Sequence, residues 1–404
     1  MDNKLSSPAA WLLASTLIIG VSSYATNIVA AHLVTAESYS KFAAGSQVLA
    51  AAGVAGGAVV PWLLARRLAQ GAKKETFGTY ATQGAVFGAL CALLLGFCGV
   101  VIDDLMFGAL VAASAFVTLS SSTYIGWLSG TRRFRTLAGI RVIEATIRVG
   151  VSLGLLAATG SAGLGLMGFA AGGFVMASCV MMFGGLGRSG LNWSALERDS
   201  MQGLKGMAVS QLLVAFFGTA DVVLLSALAG PGAAGYIASV TLAKAATFVA
   251  GALGAPLFVM LCTNGINRRY VIRQALLSYA ALSICGLGLL IALPIELWHT
   301  IFPASYELDV TVRAVAGVVG VGAGALNLVS TVFQAESRYR EVVTRSSVGL
   351  VLGVSAAAAV FGLTSSVTAS MGAFGAVLIC AVLILFVAAR SSGVSRLKEN
   401  TAFC

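Results

Sequence analysis

Charge is what this sequence has least of. Only 10% of its 404 residues are Asp, Glu, Lys or Arg, and 58% are hydrophobic. A soluble globular chain carries about 25% charged residues and uses them to cover its surface. That shortage excludes a soluble fold, and a mean hydropathy of +0.93 agrees. Histidine is nearly missing: His32 and His299 are the only two. No phosphate-binding P-loop, metal-ligand cluster or Ser/His/Asp arrangement is present, so no residue nominates itself for catalysis, metal or cofactor chemistry. The seven cysteines (Cys91, Cys98, Cys179, Cys262, Cys285, Cys380 and Cys404) contain no C-x-x-C and fall mostly in apolar stretches. Neither a disulfide framework nor a zinc site is implied, and Cys404 completes no prenylation box.

What is present is a series of long apolar runs. A hydrocarbon core of about 30 Å takes roughly 20 apolar residues of helix. On that measure the chain is an all-α polytopic membrane protein with twelve spans, near 8–33, 40–65, 78–101, 105–129, 139–159, 163–186, 205–228, 234–261, 275–294, 308–334, 344–363 and 366–390. Gly230-Pro231 and Phe302-Pro303 fall between spans, whereas Pro61 and Pro256 lie inside them and mark expected kinks. The first span is too long for the apolar region of a signal peptide. Loops are short: the longest outer one, 295–307, has thirteen residues, and an inner one, 187–204, has eighteen. No room remains for an extramembrane catalytic domain, so the expected activity is transport rather than enzymology.

The basic residues are distributed unevenly. Of 25 Lys and Arg against 15 Asp and Glu, 21 fall on one set of loops, Arg66, Arg132, Arg133, Arg135, Arg141 and Arg268 among them. The opposite loops carry Lys41 beside Glu37, Asp103, Asp104, Glu296 and Glu307. By the positive-inside rule both termini are cytoplasmic, and the formal charge of +10 is a topology signal. Nucleic acid is not an expected partner.

Internal repetition organises the chain. At an offset of 194, Asn27 meets Asp221 and Phe42 meets Tyr236; at an offset of 205, Arg133-Phe134-Arg135 meets Arg338-Tyr339-Arg340. The eleven extra residues are assigned to the 295–307 loop. Two six-helix lobes related as a parallel repeat follow: 1–190 for helices 1–6, a cytoplasmic linker at 191–204, and 205–404 for helices 7–12. Such repeats describe a two-lobed transporter with its substrate site near the midplane.

The run Asp221-x8-Gly230-Pro231-x3-Gly235-Tyr236, followed by a long apolar helix carrying Lys244, resembles the start of the second lobe in polysaccharide transporters. These are the Wzx-type flippases of the multidrug/oligosaccharidyl-lipid/polysaccharide (MOP) exporter superfamily. The two short basic turns, and Glu144 with Arg148 in helix 5, look like the same family. The first-lobe turn, Thr35 to Phe42, departs from it by lacking glycine. The resemblance implies a MOP flippase-like fold. It also implies flipping of polyprenyl-pyrophosphate-linked sugars across the cytoplasmic membrane, with glycosyltransferases and a polymerase as pathway partners.

Ionisable residues inside a span are costly and need a reason. Glu144 and Arg148 are spaced i,i+4 in the favourable order, with Arg148 roughly 14 Å deep at 1.5 Å per residue. They either neutralise each other or leave Arg148 to bind a substrate pyrophosphate, which its guanidinium fork suits. Asp221 and Lys244 either pair, or divide between ion exchange (H+ or Na+) and phosphate binding. Arg313, four residues after Asp309, either snorkels outward or joins the substrate contacts. Tyr24 and Asn27 on helix 1, Ser210 on helix 7 and Asn327 on helix 10 are candidates to line a polar cavity. Three cations (Arg148, Lys244, Arg313) against two acids favour an anionic lipid-linked oligosaccharide. A multidrug or cation antiporter of the same superfamily would need acids to dominate. An integral enzyme or scaffold of a polysaccharide assembly complex is the alternative of a different class.

Overall fold

A computed structural model describes residues 6–69, 76–184, 198–261 and 267–391, and the regular structure throughout is helical. The first helices are α1 (Ser6–Leu33), α2 (Ala36–Ala58), α3 (Val60–Ala69), α4 (Thr76–Ile102), α5 (Leu105–Gly130), α6 (Phe134–Thr159) and α7 (Ala162–Phe183). They are followed by α8 (Arg198–Phe217), α9 (Ala220–Ala229), α10 (Ala234–Ala243), α11 (Ala245–Leu261), α12 (Arg268–Ala292) and α13 (Ile295–Ile301). The chain continues through α14 (Val310–Ala335), α15 (Tyr339–Thr364) and α16 (Val367–Ser391). A 3₁₀ turn, Gly230–Ala233, joins α9 to α10. Helices α4 to α7, α12 and α14 to α16 are each long and apolar enough to cross a bilayer.

Three predicted spans are broken. The 40–65 span divides at Val59 into α2 and α3; Pro61, lacking an N–H, sits where a new helix can begin but an old one cannot continue. The 205–228 span starts earlier, at Arg198, and breaks after Phe217. There the Thr219 hydroxyl donates back to the Ala215 carbonyl at 3.0 Å and competes with the backbone ladder. The 234–261 span breaks at Lys244, not at Pro256. The Thr247 hydroxyl takes the Lys244 carbonyl at 2.6 Å. Beside the break, α14 presses Gly320 against Ala243 so closely that a Cβ would lie 2.6 Å from its carbonyl carbon.

The chain forms two compact units, Met1–Ala208 and Val209–Cys404, with the division inside α8. Of the linker expected at 191–204, residues up to 197 lie outside the described residues, and from Arg198 the chain is helical. In the first unit α5 packs against α2, α3, α4 and α7, and α6 packs against α1 and α7. In the second, α14 takes the same central place against α10, α11, α12 and α16.

The offset of 205 recurs bond by bond. Helices α5, α6, α14 and α15 all have 26 residues. Asp104 caps α5 by accepting from Phe107 N at 2.7 Å, and Asp309 caps α14 through Val312 N at 2.7 Å. The basic turns carry Arg132 at φ 56° and Ser337 at φ 57°, each followed by an N–H bond of 2.8 Å, from Arg133 to Leu128 and from Arg338 to Phe333. The extra residues of the second unit contain α13, pinned by fully buried Trp298 stacking on Phe302.

Candidate functional site

The first unit carries a charged stripe along α6. Arg148 Nη1 lies 3.2 Å from Glu144 Oε1, with both side chains mostly buried. The pair is tucked against α7, where a Cβ on Gly172 would lie 3.0 Å from Glu144 Oε1 and 3.3 Å from Arg148 Cβ. The Arg148 guanidinium also lies 5.2 Å from the centre of the Phe169 ring, a cation–π distance. Pairing does not exhaust it: Nη2 is buried and has no hydrogen-bond partner among the described residues.

Arg141, which the charge pattern assigns to a cytoplasmic loop, lies inside α6 on the same face. Its buried Nε has no partner among the described residues either. The spacing of 141, 144 and 148 follows the helical period, so the stripe was legible had the helix start been placed at Phe134. Ser152, 1% exposed, extends it by another turn. On the neighbouring α1, Asn27 is buried; its Nδ2 donates to the Ser23 carbonyl at 2.9 Å, leaving Oδ1 without a partner among the described residues. Tyr24, one turn earlier, is half-buried.

The second unit carries a buried neutral triad. Lys244 Nζ lies 2.9 Å from Asp221 Oδ1, and the Tyr236 hydroxyl donates to Asp221 Oδ2 at 3.0 Å. Their exposures are 4%, 0% and 1%. Both carboxylate oxygens are therefore engaged. The break after Phe217 puts Asp221 in the first turn of α9, where the helix dipole favours negative charge by about 0.3–1 kcal/mol. The break at Lys244 lets α10 end where its ammonium reaches that carboxylate. The pairing, one of the two alternatives that the sequence leaves open, is made in this structure. Tyr236 was legible as a repeat position and as the end of the Gly235-Tyr236 pattern; its hydroxyl's role depends on the turn at Gly230.

Arg313 is buried, and its Nε and Nη1 donate to backbone carbonyls. Nη1 donates to the Leu293 carbonyl at 2.6 Å and the Leu290 carbonyl at 3.4 Å, while its guanidinium lies 5.5 Å from the centre of the Trp298 ring. It satisfies carbonyls at the end of α12 and so joins α14 to α12. Ser210 accepts from Gln334 Nε2 at 3.4 Å, and Gln334 Oε1 accepts from Gln211 Nε2 at 2.7 Å, a closed polar link between α8 and α14. Asn327 is partly exposed on α14, and its backbone carbonyl accepts the Ser330 and Thr331 hydroxyls.

No family model and no curated protein matches the chain. Solved structures do. The eukaryotic MATE transporter AtDTX14 aligns with a TM-score of 0.67 at 14% identity, over 98% of this chain and 96% of that one. The lipid II flippase MurJ, in an inward closed conformation, aligns with a TM-score of 0.65 at 11% identity, over 93% and 87%. A MOP superfamily transporter from Pyrococcus furiosus, described by the reverse polarity of its binding pocket, aligns with a TM-score of 0.62 at 12% identity, over 97% and 96%. These neighbours are transporters and flippases, not enzymes. The chain is a multi-pass membrane protein with the twelve-span, two-lobed MOP fold.

Proposed function

We propose that the chain is a flippase that moves a polyprenyl-pyrophosphate-linked oligosaccharide from the cytoplasmic to the outer leaflet by alternating access, for cell-surface polysaccharide synthesis. The observation that carries this reading is the unspent cation on α6: Arg148 is held by Glu144 through one nitrogen, and its buried Nη2 lacks a partner among the described residues. An unfilled guanidinium donor inside a membrane span suits an anionic cargo. The chain sits in the cytoplasmic membrane with both termini inside, beside the glycosyltransferases and polymerase that make and consume its substrate.

Coupling to H+ or Na+ runs through Asp221. Its carboxylate is held by Lys244 and Tyr236 in a broken-helix setting of the kind that transporters use for ions. Protonating Asp221, or drawing it onto a sodium ion, would free Lys244 and unbalance a neutral buried group. A drug or cation antiporter is the second reading of the same fold. It is disfavoured because Arg141 and Arg148 outnumber Glu144 along the stripe.

The test is flipping of a fluorescent prenyl-pyrophosphate-linked saccharide in proteoliposomes. Arg148→Ala is expected to lower the rate at least tenfold at an unchanged protein level; a wild-type rate would refute the reading.

A further inference from the structure

The charges at positions 141, 144 and 148 of α6 are not repeated at the matching places of the second unit. Helix α15 stands at the offset of 205, with the same 26 residues and the same preceding turn. At the places of Arg141, Glu144 and Arg148 it carries Ser346, Gly349 and Gly353. Even the ring beneath the stripe has its counterpart: Phe374, at the place of Phe169, packs 3.2 Å from where a Cβ on Gly353 would sit. At these three places α15 is uncharged, its own charges lying earlier in the helix at Arg340, Glu341 and Arg345, whereas α6 carries two cations and one anion there.

The geometry of those three residues is specific. Arg148 reaches back one turn to Glu144, the direction in which helical side chains lean. Arg141, Glu144 and Arg148 share one face of α6, Glu144 lying about 4.5 Å of helix rise from Arg141 and about 6 Å from Arg148. Arg141 makes no hydrogen bond or ion pair with a described residue, and its Nε is buried. Two arginines, each with an unfilled buried donor, thus stand on either side of Glu144 along one face of α6.

We infer that Arg141 and Arg148 form a two-point site for a diphosphate, one arginine for each phosphate, with Glu144 as the resident counter-ion that the diphosphate displaces from Arg148. This rests on the flippase reading and sharpens it: the site selects a diphosphate over a monophosphate. Removing Arg141 should therefore hurt the two ligands unequally.

The test is equilibrium binding to the purified full chain in detergent. The probes are inorganic pyrophosphate, farnesyl pyrophosphate and farnesyl monophosphate, with melting temperature as the folding control. Arg141→Gln should weaken both diphosphates at least tenfold and farnesyl monophosphate less than threefold. Arg141→Lys should recover part of the loss, since a point charge remains without the fork. Glu144→Gln should tighten diphosphate binding severalfold by removing the internal competitor. If inorganic pyrophosphate binds as well as the farnesyl ester, the site reads the phosphates alone; if only the ester binds, the lipid contributes, and either result keeps the two-point site. An Arg141→Gln chain that binds diphosphate normally, or loses mono- and diphosphate equally, would overturn it. If Arg148→Gln still abolishes flipping while Arg141→Gln binds normally, the flippase reading survives this failure. If neither change alters binding or flipping, both fall.

Discussion

The Lys244 ammonium and the Asp221 carboxylate meet at 2.9 Å inside the second unit, each less than 5% exposed. They come from helices on either side of the turn at Gly230-Pro231, and Tyr236 closes the other carboxylate oxygen. At the offset of 194 the first unit has Asn27 and Ala50 in their places. One half of the repeat thus holds a buried neutral pair where the other has an amide and a methyl side chain.

Breaking that pair from one side should be costly. Lys244→Met leaves a buried carboxylate with Tyr236 alone and is expected to destabilise the protein by about 3–5 kcal/mol. The double variant Asp221→Asn with Lys244→Met should recover most of this while losing the response of transport to an imposed ion gradient. Chemical unfolding in detergent and gradient-driven flipping measure the two effects separately. A single variant as stable as the parent would mean that the pair contributes nothing.

Gly320 should tolerate nothing larger than hydrogen. Its Cβ would meet the Ala243 backbone at 2.6–2.7 Å, and overpacking of this kind costs about 1–3 kcal/mol. Gly139 on α6, with no atom within 4 Å of its Cβ position, is the control: Gly139→Ala should leave the melting temperature unchanged or slightly raised. Equal shifts for Gly320→Ala and Gly139→Ala would argue against the close approach.

Lys41 ties α2 to the turn before α5, through Glu37 at 2.8 Å and Asp103 at 2.9 Å. Its hydrogen bond and charge hold the Glu37 carboxyl below the usual glutamate range. A carboxyl depressed on folding contributes stability above its unfolded pKa and loses it as pH falls through the folded value. The melting-temperature gap between the parent and Glu37→Gln should therefore be open at neutral pH and close in acid. A gap that widens in acid would reverse the assigned sign.

Orientation can be read by labelling. A cysteine at Glu37 should react with an impermeant maleimide in intact cells, and one at Arg132 only after permeabilisation. Both positions are solvent-exposed, so access rather than burial decides the outcome. The reverse pattern would invert the topology.

Much of this architecture was determined by the sequence alone. Span length follows from hydropathy because the bilayer sets one thickness for all, and the repeat followed from Arg133-Phe134-Arg135 and Arg338-Tyr339-Arg340, whose turns coincide in backbone conformation. Such signals are local: a cap, a turn and an apolar run each lie within a few residues of chain. What only the tertiary structure decided is where helices break and what each buried charge touches. The interruption at Lys244 is set against Gly320 of α14, and Pro256, the obvious candidate by composition, does not interrupt α11. In the sequence Arg313 and Arg148 are both cations in spans with an acid four residues before them. Yet one is consumed by carbonyls of α12 twenty or more residues away, and the other keeps an unfilled donor. A charge in a membrane is defined by its partners, and those partners are chosen by packing between helices that hydropathy cannot see.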